Sequence, residues 1–195
     1  DLHLLSRRQR QMCIRDSYPD RRVASFQFLT EDGHFNVDAF REKVEDILTR
    51  QRNIVIILNG IANNPTGYCM SVEEWQAAVD VLKNAVEGKD KNVVLVPDVA
   101  YLDYSGEKQE CRRFFKVFGG LPKNILTIVA YTLSKGFTLY GQRQGAMIGI
   151  TSDADVAKEF VDINQYASRA TWSNCNSAAQ NVMIDICSDS EKVAR

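Results

Sequence analysis

The sequence predicts an α/β protein with a mostly parallel central sheet flanked by helices, and three observations support this prediction. Short apolar runs of four or five residues recur along the chain, with the β-branched composition of buried strands. Segments with helical spacing separate the runs, which predicts crossover connections between parallel strands. The chain has 195 residues, of which 45% are apolar, so it is long enough to form one globular core.

Strand and helix patterns alternate in the first half of the chain. Residues 22–28 alternate apolar and polar side chains, as a partly buried strand does. One face of the helix predicted next carries Phe40, Val44, Ile47 and Leu48. Residues 54–58 are apolar throughout, which predicts a strand buried on both faces. Ser71 and Glu74 have the spacing of a capping box, and the helix after them has an apolar stripe formed by Trp75, Ala78, Val79 and Leu82.

The same alternation continues in the second half. Three further apolar runs predict buried strands, at residues 93–96, 125–129 and 146–150. Helices are predicted around residues 107–118, from Asp153 to about Ser168, and at residues 177–187. The chain ends at Arg195 without a helix-terminating signal, so we expect the domain to be incomplete at both ends.

Residues 1–17 are interpreted as a non-native segment. They are basic, they lack strand or helix periodicity, and they end in the heptapeptide QMCIRDS. A codon series for this heptapeptide resembles the transposase end sequence of shotgun sequencing libraries, so the segment is expected to be translated adapter. The alternative is a native disordered basic arm. Residues 18–195 are therefore taken as the part that folds.

Composition and charge exclude several classes of partner. The 24 basic and 25 acidic residues nearly cancel, so nothing favours nucleic acid in general. No stretch approaches the roughly 20 apolar residues of a membrane helix. The five cysteines are far apart and the chain has two histidines, which argues against a zinc site. A cytoplasmic protein is expected, with no metal, nucleic acid or membrane partner.

Polar segments lie at the ends of the predicted strands, where open α/β sheets bind their ligands. Each segment alone has an ordinary interpretation, as a turn, a loop carboxylate or a solvated lysine. Their order along the chain and their shared position favour one common site. The segments are NNPTG (63–67), PDVAY (97–101), TLSK (132–135) and GQRQG (141–145).

Taken together, the four segments resemble the class I aminotransferases, which are fold type I enzymes of pyridoxal 5'-phosphate (PLP). Arg143 follows Lys135 by eight residues, as in that family. The resemblance implies that residues 18–195 are the central part of the large PLP-binding domain and that the small domain is missing. It assigns the catalytic role to Lys135, which would form the Schiff base with PLP and move the proton during transamination.

The resemblance also assigns the remaining contacts to the cofactor. Asp98 would pair with the pyridine nitrogen, and Asn64 and Tyr101 would hydrogen-bond the phenolate oxygen of the ring. Asn64 is expected to contact the substrate as well. The phosphate would be held by Thr132, Ser134 and Arg143, of which the arginine offers a planar fork.

A further segment resembles the aspartate and aromatic aminotransferase subgroup. Residues 169–174, RATWSN, are similar to its R-x-x-[WY]-S-N segment, and Arg169 follows Lys135 by 34 residues as in the subgroup. In that subgroup the arginine crosses the dimer interface and binds the distal carboxylate of a dicarboxylic substrate in the partner's site. Arg169 is therefore expected to bind substrate there. Cys175 and Asn176 depart from the usual Pro-Pro.

The resemblance implies a homodimeric enzyme that transaminates aspartate, aromatic amino acids or both, with 2-oxoglutarate as the second substrate. The chain alone is expected to be inactive, because the rest of the site would lie outside it. One alternative is a PLP-dependent lyase or decarboxylase on the same scaffold. Others are a PLP-sensing transcription regulator with an additional DNA-binding domain and an unrelated α/β binding module. Arg169 and its neighbours favour the aminotransferase.

Overall fold

Residues 23–193 are described by a computed structural model, in which four strands form one sheet in the order β1-β2-β3-β4. The strands β1, β2 and β3 pair in parallel, and β4 pairs antiparallel to β3. Their bounds are Asn53–Leu58 (β1), Asn92–Pro97 (β2), Ile125–Thr132 (β3) and Gly145–Ile150 (β4). The predicted α/β class and mostly parallel sheet are confirmed.

Helices connect and follow the strands. The α-helices are Val37–Arg50 (α1), Val72–Val86 (α2), Leu133–Gly136 (α3), Ala154–Thr171 (α4), Ser177–Cys187 (α5) and Ser190–Val193 (α6). Shorter-pitch 3₁₀ helices span Leu102–Tyr104, Glu110–Phe118 and Tyr140–Gln142. The capping box of Ser71 and Glu74 begins α2, and Asp153 caps α4, as predicted. Within the described residues no helix combines the length and the apolar character needed to cross a bilayer.

The core lies between one face of the sheet and the helices packed on it. Alternate residues of β1, from Ile54 to Leu58, are buried on this face. Trp75 of α2 is fully buried, stacks on Phe114 at 5.4 Å between ring centroids and meets Phe118 edge-on at 5.6 Å. Helix α1 adds its buried stripe of Phe40, Val44 and Leu48. This one-sided core fixes the positions of β1, β2 and β3.

The prediction that the strands are buried on both faces is wrong for β1 and β4, while the second faces of β2 and β3 are half-buried. Val55 and Ile57 of β1 are 66% and 64% exposed, and Met147 and Ile148 of β4 are more than half exposed. The reason is that α1, α2 and the 3₁₀ helix Glu110–Phe118 all pack on the face that buries Ile56. The opposite face of β1 has no such cover among the described elements.

The strand predicted at residues 22–28 is also wrong over the part that the structure describes. Residues 23–28 have irregular backbone, and pairing here is limited to one antiparallel bridge between Leu29 and Phe35. Phe26 and Phe28 pack against Phe35 instead, with ring centroids 6.2 and 5.5 Å from it. The alternating aromatic side chains are therefore half-buried by aromatic packing, without strand pairing. Residue 22 and the segment 1–17 lie outside the described residues.

The helix predicted around residues 107–118 differs in start and type. It begins at Glu110 and is a 3₁₀ helix. Phe114 and Val117, three residues apart, are both buried, which suits a helix of three residues per turn. The helices predicted from Asp153 and at residues 177–187 are confirmed, although the first extends to Thr171.

Glu74 joins Phe35 to the segment just before its own helix, and we call these contacts the Glu74 clamp. Its Oε1 atom accepts hydrogen bonds from Tyr68 Oη at 2.6 Å and from the Phe35 amide at 2.9 Å, and its Oε2 atom accepts from the Ser71 amide at 2.8 Å. Burial raises the pKa of Glu74, but these hydrogen bonds outweigh it, so the pKa lies below its usual value. Burial, with the neighbouring Glu74, raises the pKa of Tyr68 to about 12, so the phenol stays a donor.

Two neighbouring residues of β1 test the one-sided core. We expect Ile56→Ala to lower the free energy of unfolding by about 2–4 kcal/mol, because it leaves a cavity in the core. Ile57→Ala on the exposed face should lower it by less than about 1 kcal/mol. Urea unfolding of both variants of this chain measures the difference. Equal losses would mean that the exposed face is also packed.

The Glu74 clamp predicts a specific loss of stability in acid. A carboxyl whose pKa is lowered by folding stabilises the protein above its unfolded-state pKa, and this contribution disappears as the pH falls through the folded-state pKa. Glu74→Gln should therefore lose about 1–3 kcal/mol at pH 7 and show a flatter decline in stability as the pH falls below the ordinary glutamate pKa of 4.5. Urea unfolding at several pH values measures both effects. Glu45→Gln, on the exposed face of α1, is the matched control.

Candidate active site

The predicted site residues cluster at the edge where the three parallel strands end. Parallel pairing sends β1, β2 and β3 out of the sheet at the same edge, followed by the loops that carry Asn64, Asp98 and Lys135. The Asp98 amide donates to Leu58 O at 2.9 Å, and Asp98 also forms a parallel bridge with Ala130. Asp98 is thereby fixed between the ends of β1 and β3.

The Asp98 carboxylate is half-buried and held at both oxygens. Asn59 Nδ2 donates to Oδ2 at 2.9 Å, and the Ala100 amide donates to Oδ1 at 3.0 Å. Each oxygen keeps a lone pair for a further donor. Asn59 Oδ1 also accepts from the Asn64 amide at 3.2 Å, so one side chain orients two predicted site residues. The sequence analysis missed Asn59, although its place directly after the apolar run was a usable signal.

The Asn-Pro-Thr-Gly segment forms a tight loop that presents Asn64. The Gly67 amide closes it by donating to Asn63 O at 2.6 Å, with Gly67 at a positive φ of 73° that suits glycine. The peptide bond between Asn64 and Pro65 is cis. Asn64 Nδ2 donates to Tyr101 Oη at 3.5 Å, which brings the loops after β1 and β2 together.

Lys135 lies on α3, the four-residue helix directly after β3. Thr132 caps this helix by accepting from the Ser134 amide at 3.1 Å, and Ser134 is buried. Lys135 Nζ lies 5.0 Å from the ring centroid of Tyr101 and 4.7 Å from that of Tyr140. The amine therefore sits between two aromatic rings, one of them from the Asp98 loop.

Arg143 is connected to this group through Tyr140. Its Nη1 atom donates to Tyr140 O at 3.0 Å, and Tyr140 is the second ring beside Lys135 Nζ. The guanidinium is exposed, so most of its donors face outward. Arg143 also adopts a left-handed backbone with φ of 52°, which is uncommon for a residue other than glycine.

Strained backbone is concentrated around the predicted site. The non-glycine residues with positive φ in residues 23–193 all lie within three residues of a predicted site residue or contact one. A left-handed conformation costs about 1 kcal/mol or more at a non-glycine residue, and such strain is typical of functional sites. Sequence patterns do not reveal it. These residues are Ala62, Thr138, Arg143 and Ser173.

Arg169 lies on α4, outside the strand-end loops. It lies in the last turn of α4, is exposed, and donates from Nη1 to Ser173 Oγ at 2.8 Å. Beside it a groove of about 820 Å³ separates β4 from α4, with Arg143 on one wall and Trp172 on the other. Asn176 Nδ2 donates across the groove to Gln142 Oε1. Of the eight predicted site residues, the structure brings seven to the strand ends and leaves Arg169 with Ser173.

The polar groups at the strand ends fit the chemical groups of PLP. Asp98 offers a carboxylate to a protonated ring nitrogen, Lys135 an amine to a carbonyl, and Tyr101 and Asn64 donors to a phenolate. A phosphate could be held by the hydroxyls and the guanidinium of Thr132, Ser134 and Arg143. The described part of the chain contains no group of three or more His, Cys, Asp or Glu residues that could hold a metal ion.

Known proteins are similar to this chain in sequence. The aromatic-amino-acid aminotransferase of Pseudomonas aeruginosa is 25% identical over 171 residues, which cover 87% of this chain and 40% of that protein. The mitochondrial aspartate aminotransferase P2 of Lupinus angustifolius is 28% identical over 148 residues, covering 75% of this chain and 31% of that protein. The chain thus spans less than half the length of both relatives.

Solved structures share the fold. An aminotransferase from Anaerococcus prevotii superposes with a TM-score of 0.85 at 38% identity, over 89% of this chain and 42% of that one. The aromatic-amino-acid aminotransferase of Burkholderia pseudomallei, solved with covalently bound pyridoxal phosphate, gives a TM-score of 0.76 at 20% identity. It covers 95% of this chain and 44% of that one.

A family model also matches most of the chain. The model for aminotransferase class I and II covers residues 19–195, which include the four strand-end segments and Arg169. With this match and the strand-end geometry, the chain belongs to the class I and II aminotransferase family.

Proposed function

We propose that this chain is part of a PLP-dependent aminotransferase that acts on aspartate, aromatic amino acids or both, with 2-oxoglutarate as the second substrate. The observation that carries the proposal is the meeting of Asp98, Tyr101 and Lys135 at one edge of the sheet. Family membership and the relatives' names support transamination in preference to a lyase, a decarboxylase or a regulator.

The strand-end residues would hold the cofactor through each of its polar groups. Asp98, fixed by Asn59 and the Ala100 amide, would accept from the pyridine nitrogen. Tyr101 and Asn64 would donate to the phenolate oxygen, and Thr132, Ser134 and Arg143 would hold the phosphate. Bound there, PLP supplies an electron sink for the charge that develops at the substrate Cα.

Lys135 would hold the cofactor covalently and then act as the acid and base. With substrate in the site, Lys135 Nζ would take the proton from the substrate Cα, hold it and return it during the transfer of the amino group. The rings of Tyr101 and Tyr140 limit where the amine can swing.

Arg169 would bind the second carboxylate of a dicarboxylic substrate. The guanidinium is exposed at the end of α4, and its contact to Ser173 leaves donors for a bidentate pair with a carboxylate. We propose that the protein is a homodimer in which Arg169 reaches the partner's site. Its exposure, on a helix outside the strand-end loops, favours a role across an interface.

The domain assignment belongs to the same proposal. Residues 18–195 would be the central part of the large cofactor-binding domain, and residues 1–17 a non-native, adapter-derived segment. The family match begins at residue 19, which supports this division. A cytoplasmic location is proposed because the chain has five cysteines, an odd number, and they are far apart in the sequence, which does not suggest a disulfide framework. This chain alone is expected to be inactive.

The cofactor assignment predicts a covalent label on Lys135. Borohydride reduction of the full-length protein loaded with PLP, followed by peptide mapping, should place the pyridoxyl group on this residue. Lys135→Ala should still bind PLP noncovalently but lose transamination by about 10²-fold to 10⁴-fold or more, because the acid and base is gone. Lys123→Ala, an exposed loop substitution, is the control. A label on another lysine would contradict the assignment of the whole site.

The substrate assignment predicts that Arg169→Leu separates two classes of substrate. Losing the charge-assisted pair should raise the activation free energy for aspartate and 2-oxoglutarate by about 2–5 kcal/mol, which lowers kcat/KM by tens to thousands of fold. Aromatic substrates lack the second carboxylate and should lose far less. Steady-state kinetics of both classes in the full-length dimer measure the ratio. Equal losses would assign Arg169 a structural role and leave the cofactor site unaffected.

A further inference from the structure

The short helix that carries Lys135 depends on contacts from outside itself. Helix α3 has four residues, and a single turn is too short to be stable alone. Leu133 is buried and its amide donates to Gln144 O at 3.0 Å, which fixes the N-terminal end of the helix. The C-terminal end, where Lys135 and Gly136 lie, is contacted from the segment after Tyr101.

Tyr104 holds the main chain of Lys135. Its hydroxyl donates to Lys135 O at 2.9 Å, and the same carbonyl accepts from the Thr138 amide at 3.1 Å. Thr138 has a left-handed backbone with φ of 55°, so the chain turns sharply here. Tyr104 belongs to the 3₁₀ helix Leu102–Tyr104, which directly follows the predicted cofactor contact Tyr101.

Asp103 fills the space beside Gly136. A methyl group at Gly136 would lie 2.1 Å from Asp103 Oδ2 and 3.3 Å from Tyr131 Oη, so the glycine permits the close approach. Asp103 cannot move away freely, because Oδ2 accepts from Tyr131 Oη at 2.9 Å and Oδ1 pairs with Arg112 at 2.8 Å. Burial and the neighbouring carboxylate raise the pKa of Tyr131, so this phenol stays protonated and donates.

We propose that Asp103 and Tyr104 are positioning residues that hold the backbone of Lys135 and Gly136, and thereby aim the Lys135 amine. This inference rests on the proposed function of Lys135. Tyr104 contacts the carbonyl oxygen of Lys135 and Asp103 lies against Gly136, so both act on the main chain of this turn. The segment after β2 thus contacts the site at two places. Tyr101 lies beside the Lys135 amine, and Asp103 and Tyr104 contact the backbone of the same helix.

The first test removes one hydroxyl. In the full-length protein loaded with PLP, Tyr104→Phe should lower kcat about three- to tenfold, the effect of one hydrogen bond, with KM changed by less than about twofold. The pH titration of the absorbance of Lys135-bound PLP should shift as well, since the amine is no longer held in one place. Tyr166→Phe, an exposed residue of α4, should leave both unchanged.

The second test uses the contact between Asp103 and Gly136. Gly136→Ala should lower kcat, because the new methyl group displaces the carboxylate or the helix turn. Adding Asp103→Ala removes the clash. The kcat of the double variant should therefore be higher than the value expected from multiplying the two single-variant losses. Strictly multiplicative losses would overturn the role assigned to Asp103.

A third measurement separates this inference from the proposed function. Hydrogen exchange of the amides at residues 135–138, measured without PLP, should be faster in Tyr104→Phe than in the wild type. Unchanged exchange together with unchanged kcat and titration would overturn the inference while the function stood. A wild-type protein that forms no covalent link between PLP and Lys135 would overturn both, whatever the exchange showed.

Discussion

The parallel pairing of β1, β2 and β3 is the constraint on which the site depends. Leu58 lies opposite Pro97 in the β1–β2 register, and Asp98 continues the pairing as a bridge to Ala130 of β3. A slip of one residue would turn every side chain of a strand to the opposite face. Register is set by the buried side of the sheet, where alternate residues of each strand pack under Trp75 and its neighbours. The core therefore positions the loops although it contacts no ligand.

The strand-end loops could be predicted from the sequence because their signal is local. Asn64, Asp98, Tyr101 and Lys135 each follow an apolar run within a few residues, so topology alone brings them to one edge. Asn59 also directly follows an apolar run, but its role and that of Tyr104 depend on partners that lie 39 and 31 residues away along the chain. Contacts of this kind depend on tertiary structure, which one sequence does not specify residue by residue.

The predictions that failed share one cause. An apolar run such as residues 54–58 indicates a strand, but the burial of each face depends on what packs there. In the described structure, helices cover the side of Ile56 and leave Val55 and Ile57 exposed. The alternation in residues 23–28 is likewise satisfied by aromatic packing onto Phe35, without strand pairing. Periodicity indicates which side chains favour burial, but strand pairing and the burial of each face depend on the elements that pack there.

The left-handed backbone of Arg143 implies a compromise between folding and chemistry. Glycine would adopt this conformation without strain, so a replacement there would relieve the local backbone while removing a guanidinium beside Tyr140. Selection for thermal tolerance alone would favour the small residue, and selection for anion recognition would favour the large one. Under the proposed phosphate contact, the guanidinium would offset this backbone strain, so libraries selected for stability alone would be misleading guides to a working protein at this position.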